Sequence, residues 1–257
     1  MIWRSFKASA HDLVIAGVTF IGIAFCLYVD SFHDLPLQNA LGKCGWVVLI
    51  GLLYWETNLV RLQVMVAVLF ATAGEHFASG LMHGYIYYFH NIPAYIPPGH
   101  GMVYLTAVAL ARSPIFQYFQ RPICWGVLTT MGAWSLWGIT LAERGDWIGM
   151  ILFSIYIPCI LWGRAPLVYL AAFFVTTHLE LIGTSLGTWA WVASDPLLFI
   201  PQGNPPSGVA TWYCLVDAVA LGGATWLINQ WTSLRTLPNR VRNLWTPPAW
   251  VQVAAED

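Results

Sequence analysis

The chain has 257 residues, of which 58% are hydrophobic and only 9% charged, with a formal net charge of -1. Soluble domains carry roughly 25% charged residues, so the composition argues against a water-soluble core of this size, and the charge offers nothing to nucleic acid or an acidic substrate. Cys26, Cys44, Cys124, Cys159 and Cys214 lack C-x-x-C and C-x-x-C-H spacing, which argues against a thiolate metal site, a redox pair and covalent haem.

The first apolar stretch, 13–29, follows Arg4 and Lys7 in the manner of a signal peptide, but Asp30-Ser31-Phe32-His33 offers no small-x-small cleavage site. It reads as a retained span. Further apolar segments follow at 41–55, 62–82, 97–111, 122–141, 146–162, 166–186 and 208–231. A spanning helix takes ~20 residues, so the short second and fourth segments are either tilted or re-entrant. Charge arbitrates. With eight spans, Arg4, Lys7, Arg61, Arg112, Arg121, Arg164, Arg235, Arg240 and Arg242 share one side, against Lys43 and Arg144 on the other, 9 basic residues to 2. A re-entrant fourth segment would give 4 against 7. The positive-inside rule therefore predicts eight spans in the cell membrane, with both termini cytoplasmic.

Four spans plus four imply a parallel duplication about an axis along the membrane normal. Residues 1–121 form the first four-span repeat and 122–231 the second. Residues 232–257, with Pro238, Pro247 and Pro248, read as a cytoplasmic tail with little structure. The expected fold is all-α integral membrane: eight transmembrane helices as two parallel four-helix repeats. One motif recurs between them. Glu75, Gly80, Gly84, Tyr85, Tyr87 and Ile96-Pro97-Pro98-Gly99-His100 match Glu180, Gly183, Gly187, Trp189, Trp191 and Ile200-Pro201-Gln202-Gly203-Asn204. The loops 83–100 and 187–206 contain neither Lys nor Arg and fall on the outer face.

Glu75 and Glu180 each lie ~10 Å inside the outer end of a helix. A carboxylate there costs a few kcal/mol, so it needs a partner, a cavity or a proton. A lone glutamate would read as a structural, protonated one; recurrence in two copies favours a shared acid–base pair. Asp217, at similar depth in the eighth span, is expected as a third polar group of the same cavity. Gly80-x-x-x-Gly84 and Gly183-x-x-x-Gly187 read as helix-packing faces. The alternating Tyr85/Tyr87 and Trp189/Trp191 are either an interfacial aromatic belt or a surface on which substrate stacks. His100 and Asn204 sit beside glycines, where backbone can approach a ligand. Glu56 and Arg61 read as solvated helix ends.

Among the histidines, His76 and His83 share a helix face but lie ~10 Å apart, too far for one metal. His178 is roughly 200° around its helix from Glu180. There is no H-x-x-x-H pattern, against a zincin or a desaturase-type centre. His76, His83 and His178 therefore serve as metal ligands only in a site built across the repeats with the two glutamates, or as a His76/His178 haem pair. The sequence names no cofactor.

The order Glu, Gly-x-Tyr-x-Tyr or Gly-x-Trp-x-Trp, then a Pro-rich approach to the next span, over about 75–104 and 180–213, resembles the membrane carotenoid-biosynthesis family, which includes carotenoid hydratases. The chain departs from that pattern at Met82-His83, where the family tends to have Pro-Phe, and at His100 and Asn204, where it usually has Trp. The resemblance implies acid chemistry on a long apolar polyene, with Tyr or Trp faces stabilising a cation. Three functions fit the residues: a membrane enzyme using Glu75 and Glu180 on an isoprenoid-like lipid, a non-enzymatic subunit or scaffold of a larger membrane complex, and a metal-dependent membrane enzyme with Glu and His ligands. Transport fits less well, because polar residues do not continue through the inner half of the spans. The expected partners are the bilayer and an apolar lipid substrate. Whether the two glutamates line one lateral cavity decides between enzyme and scaffold.

Overall fold

A computed structural model describes residues 10–244 of the chain, with side chains as far as residue 231. Its elements are α1 (Ala10–Asp30), α2 (Leu35–Leu53), α3 (Asn58–Glu75), β1 (Tyr85–Tyr87), α4 (Ile96–Ala111), the short α5 (Pro114–Tyr118), α6 (Gln120–Thr140), α7 (Trp147–Trp162), α8 (Pro166–Ser185), β2 (Trp189–Trp191) and α9 (Ala210–Leu244). Each of the eight apolar segments coincides with one long helix. Five stretches, Ala10–Asp30, Leu35–Leu53, Asn58–Leu81, Pro166–Ser185 and Ala210–Trp231, are both long and apolar enough to cross a membrane. α4 and α7 have 16 residues each, fewer than the ~20 of a perpendicular span.

The helix starts are set locally. Asp34, Thr57, Ser113 and Asp146 each accept a hydrogen bond from the backbone N–H three residues on, at Leu37, Val60, Phe116 and Gly149. Such caps satisfy donors that the helix itself leaves free. Proline occupies the first turn of α2, α4 and α8, where its missing N–H costs nothing. α9 continues to Leu244, so 232–244 is helical backbone and not the little-structured tail expected. Residues 1–9, with Arg4 and Lys7, and 245–257, with Pro247 and Pro248, lie outside the described residues.

α3 packs along α4 and α9, and α8 also packs along α4 and α9. α1 leans on α4, and α6 pairs with α7. Ile15, Val64, Ala67, Tyr104, Leu105 and Ala220 join one buried cluster. Outside it the usual polarity of a soluble protein is reversed: Ile21, Leu69, Trp125 and Leu161 are exposed, while Asp30, Gln38, Gln63, Glu75, Glu180 and Asp217 are buried. Apolar side chains facing outward cost nothing in lipid, whereas polar groups there must turn inward to find partners.

At the end carrying the α2–α3 turn, Glu56 is buried and not the solvated end expected. Both of its carboxylate oxygens accept from the Arg112 guanidinium, and His11 Nε2 lies 3.1 Å from Oε1. Arg112 also pairs with Asp12, so one arginine ties the start of α1, the α2–α3 turn and the end of α4 together. Arg61 is exposed as expected, but it donates to the Leu53 and Tyr54 carbonyls and so caps α2. On the other buried end of α1, Asp30 accepts from Tyr95 Oη at 2.7 Å and Gln38 Nε2 at 2.9 Å, a network that hydropathy alone did not single out.

Candidate acid–base site

The site is built where α3 and α8 end. α3 stops at Glu75, and the next turn, His76–Leu81, is wound as a π-helix. Met82 N–H donates to the Phe77 carbonyl at 2.8 Å, a five-residue step. α8 continues as regular α-helix to Ser185. The difference absorbs an indel: Glu75 precedes its first strand aromatic by ten residues and Glu180 by nine, and a π turn takes one residue more than an α turn. Both glutamates thereby reach the same relation to their strands.

β1 and β2 pair antiparallel, with Tyr85 opposite Trp191, Ile86 opposite Ala190 and Tyr87 opposite Trp189. Alternation along a strand puts the first and third residue on one face, and here that face looks back at the helix ends. Tyr85 Oη and Tyr87 Oη donate to Glu75 Oε2 at 2.6 and 2.9 Å. Trp189 Nε1 and Trp191 Nε1 both donate to Glu180 Oε2 at 3.1 Å. Each glutamate is thus held by the two aromatics of its own motif. That is a different role from an interfacial belt, since Tyr85, Tyr87 and Trp189 are buried. His100 Nε2 lies 3.0 Å from Glu75 Oε1, and His100 Nδ1 lies 3.0 Å from Tyr213 Oη.

The glycines serve this arrangement more than they serve helix packing. A Cβ on Gly183 would lie 2.0 Å from the Trp189 ring, so the indole reaches Glu180 only over a bare backbone. Gly187 turns the chain from α8 into β2 with φ +72°, a conformation that glycine adopts without strain. Gly80 and Gly183 do not mark a helix contact: nothing lies within 4 Å of a Cβ placed on Gly80. Gly84 contributes its carbonyl, which accepts from Val192 N–H and Gln202 Nε2.

The second loop is clamped over the strands by two charged residues of the α6–α7 connection. Arg144 donates to the carbonyls of Trp191, Val192 and Gln202. Asp146, buried, accepts from the backbone N–H groups of Gly149, Gly203 and Ser207. Neither residue carried a functional signal in the sequence beyond a charge in a loop.

Glu75, Glu180, Tyr85, Tyr87, Trp189, Trp191, His100 and Tyr213 line one cavity of about 810 Å³. Its remaining walls are overwhelmingly apolar and include no Lys or Arg. Phe25 and Phe77 line it and are themselves exposed, so apolar side chains border its opening.

Other residues singled out in the sequence lie elsewhere. Asp217 is fully buried in α9, does not line the cavity, and neither of its oxygens has a hydrogen-bond partner among the described residues. Asn204 is not placed like His100: its Oδ1 accepts from Trp191 N–H, and it lies outside the cavity wall. His76 Nδ1 and His83 Nδ1 lie 3.0 Å from the Thr72 and Ser79 carbonyls of their own helical turns. His178 Nε2 lies 3.0 Å from the Phe20 carbonyl on α1. None of the three lines the cavity, and among the described residues no group of three or more His, Cys, Asp or Glu is placed to hold a metal ion. Tyr213 was missed. It stands three residues past Ala210 in an apolar run, and only the fold brings it to His100. Compared with known proteins, the chain matches no family model, no curated protein and no solved structure.

Proposed function

We propose that the protein is a polytopic membrane enzyme that uses Glu75 and Glu180 for acid–base chemistry on a neutral, isoprenoid-like lipid. The observation that carries this reading is that Glu75 and Glu180 line one and the same largely apolar cavity. A scaffold would need no such volume, and about 810 Å³ falls within the usual range of ligand sites. Walls without Lys or Arg suit a ligand without an anionic headgroup. The four strand aromatics face the same space, where their rings can stabilise a cation. The resemblance to carotenoid-modifying membrane enzymes agrees with this chemistry.

The same proposal includes eight spans in the cell membrane, as two parallel four-span repeats with cytoplasmic termini. It is supported by the charge distribution of 9 to 2 and by the reciprocal register of β1 and β2, in which the first residue of each strand faces the third of the other. The matching packing of α3 on α9 and α8 on α4 agrees with a two-fold relation. So do the aspartate caps that open α2 and α7.

The test is a pair of isosteric variants. Glu75→Gln and Glu180→Gln keep the shape of the site but remove its acid chemistry. Both are expected to insert and fold, and both are expected to fail to restore lipid composition in a deletion strain, read by extraction and mass spectrometry. Full restoration by both would make the carboxyl groups structural and return the protein to the scaffold reading.

A further inference from the structure

Glu75 and Glu180 match in sequence but not in surroundings. Three groups converge on Glu75, two phenols on Oε2 and His100 Nε2 on Oε1. Both of its oxygens are therefore occupied as acceptors. Glu180 receives two indole N–H groups on Oε2 alone, and Oε1 has no hydrogen-bond partner among the described residues. An indole N–H can only donate, so Oε1 is the one carboxyl oxygen of the pair free to carry a proton toward the cavity.

The far side of His100 continues the chain of contacts. With its Nε2–H given to Glu75, the imidazole offers its Nδ1 lone pair, and Tyr213 Oη stands 3.0 Å away. The two rings lie 5.8 Å apart at 41°. Hydroxyl, imidazole and carboxylate in this order form the arrangement in which a base is oriented by an acid and takes a proton from a hydroxyl. All three residues line the cavity.

We propose that Tyr213, His100 and Glu75 form a proton relay that meets the substrate at the Tyr213 hydroxyl, with Glu75 the positioning residue that fixes the imidazole, and that Glu180 alone is the proton donor. This rests on the acid–base function proposed above and divides its labour. The Glu180 O–H bond breaks, and its proton bonds to one carbon of a substrate double bond through the π pair, which leaves the neighbouring carbon cationic. A C–H next to that cation then releases its proton to the Tyr213 oxygen while the Tyr213 proton moves to His100 Nδ1. The C–H bond pair becomes the new double bond. Return of the extra proton from His100 to the Glu180 carboxylate across the emptied cavity restores both groups. No oxidant or reductant is involved.

The test uses the full-length protein in lipid nanodiscs. Infrared spectra report protonated carboxyl groups, with Asp217→Asn as the control for a further buried acid. Glu180→Gln is expected to remove a protonated-carboxyl band that Glu75→Gln leaves in place; loss of that band in Glu75→Gln instead overturns the assignment. Nitrogen NMR on histidine-labelled protein, with His100→Gln to identify the signal, reads the relay directly. Tyr213→Phe is expected to shift the His100 Nδ1 resonance without changing the unfolding temperature, and an unmoved resonance overturns the relay. In the deletion strain, Tyr213→Phe is expected to slow lipid turnover by roughly a hundredfold. Full turnover in Tyr213→Phe overturns the relay while leaving the acid–base reading intact. Full turnover in Glu75→Gln and Glu180→Gln as well brings down that reading itself.

Discussion

At the scale of single residues, Gly183 and Glu56 show how position overrides type. Gly183 belongs to a small-x-x-x-small pattern, yet its lack of a side chain makes room for the Trp189 ring, 2.0 Å from where a Cβ would stand. Gly183→Ala is expected to cost about 1–3 kcal/mol of stability through overpacking, measured by unfolding in detergent. The loss should shrink when Trp189→Ala is added, because the two changes act on one contact. Glu56 is a second case. Burial by itself would raise its carboxyl, but the hydrogen bonds and charge of Arg112, with His11, outweigh burial and hold it below the ordinary 4.5. A carboxyl held lower in the folded state adds stability that is complete above its unfolded value and is lost as pH falls through the folded one. Stability should therefore fall as the pH drops below 4.5, and Glu56→Gln should flatten that part of the profile.

At the scale of elements, the deciding structure is a two-stranded ribbon of three residues per strand. It is too short to be stable by itself in water, and its residues are fixed by hydrogen bonds from their side chains to two different helices. The alternation of Tyr85/Tyr87 and Trp189/Trp191 was visible in the sequence as extended backbone. That the two extended pieces pair with each other was not, since more than a hundred residues separate them. Opposed residues in such a ladder have Cα atoms roughly 4.5–5.5 Å apart, within disulfide range. In a cysteine-free background, Ile86→Cys with Ala190→Cys is expected to form a disulfide. Mass spectrometry after proteolysis reads the link; Ile86→Cys with Trp189→Cys should form it less well.

At the scale of the whole molecule, the proposed topology places the ribbon and both aromatic loops outside and the α2–α3 turn inside. Ser194 and Asn58 are both exposed. With cysteine introduced singly at each, an impermeant reagent added to intact cells is expected to label Ser194→Cys and to spare Asn58→Cys until the cells are opened. The reverse pattern would place the cavity at the inner leaflet and remove the charge argument for orientation.

Among the described residues, the positions and approximate ends of the eight long helices were legible in the residues alone, as was the recurrence that singled out Glu75 and Glu180. Hydropathy and capping are local, and a carboxyl in an apolar run stands out against its neighbours. The tertiary structure decided what those carboxyls meet. His76, next to Glu75 in sequence, turns to the Thr72 carbonyl of its own helix, while His100 and Tyr213, 113 residues apart, stand 3.0 Å from each other. Asp217, alike in type and depth to the two glutamates, faces the packed interior and not the cavity. Depth along a helix follows from counting residues, but direction around it depends on which neighbours the helix packs against, and no local pattern in an all-apolar span records that choice.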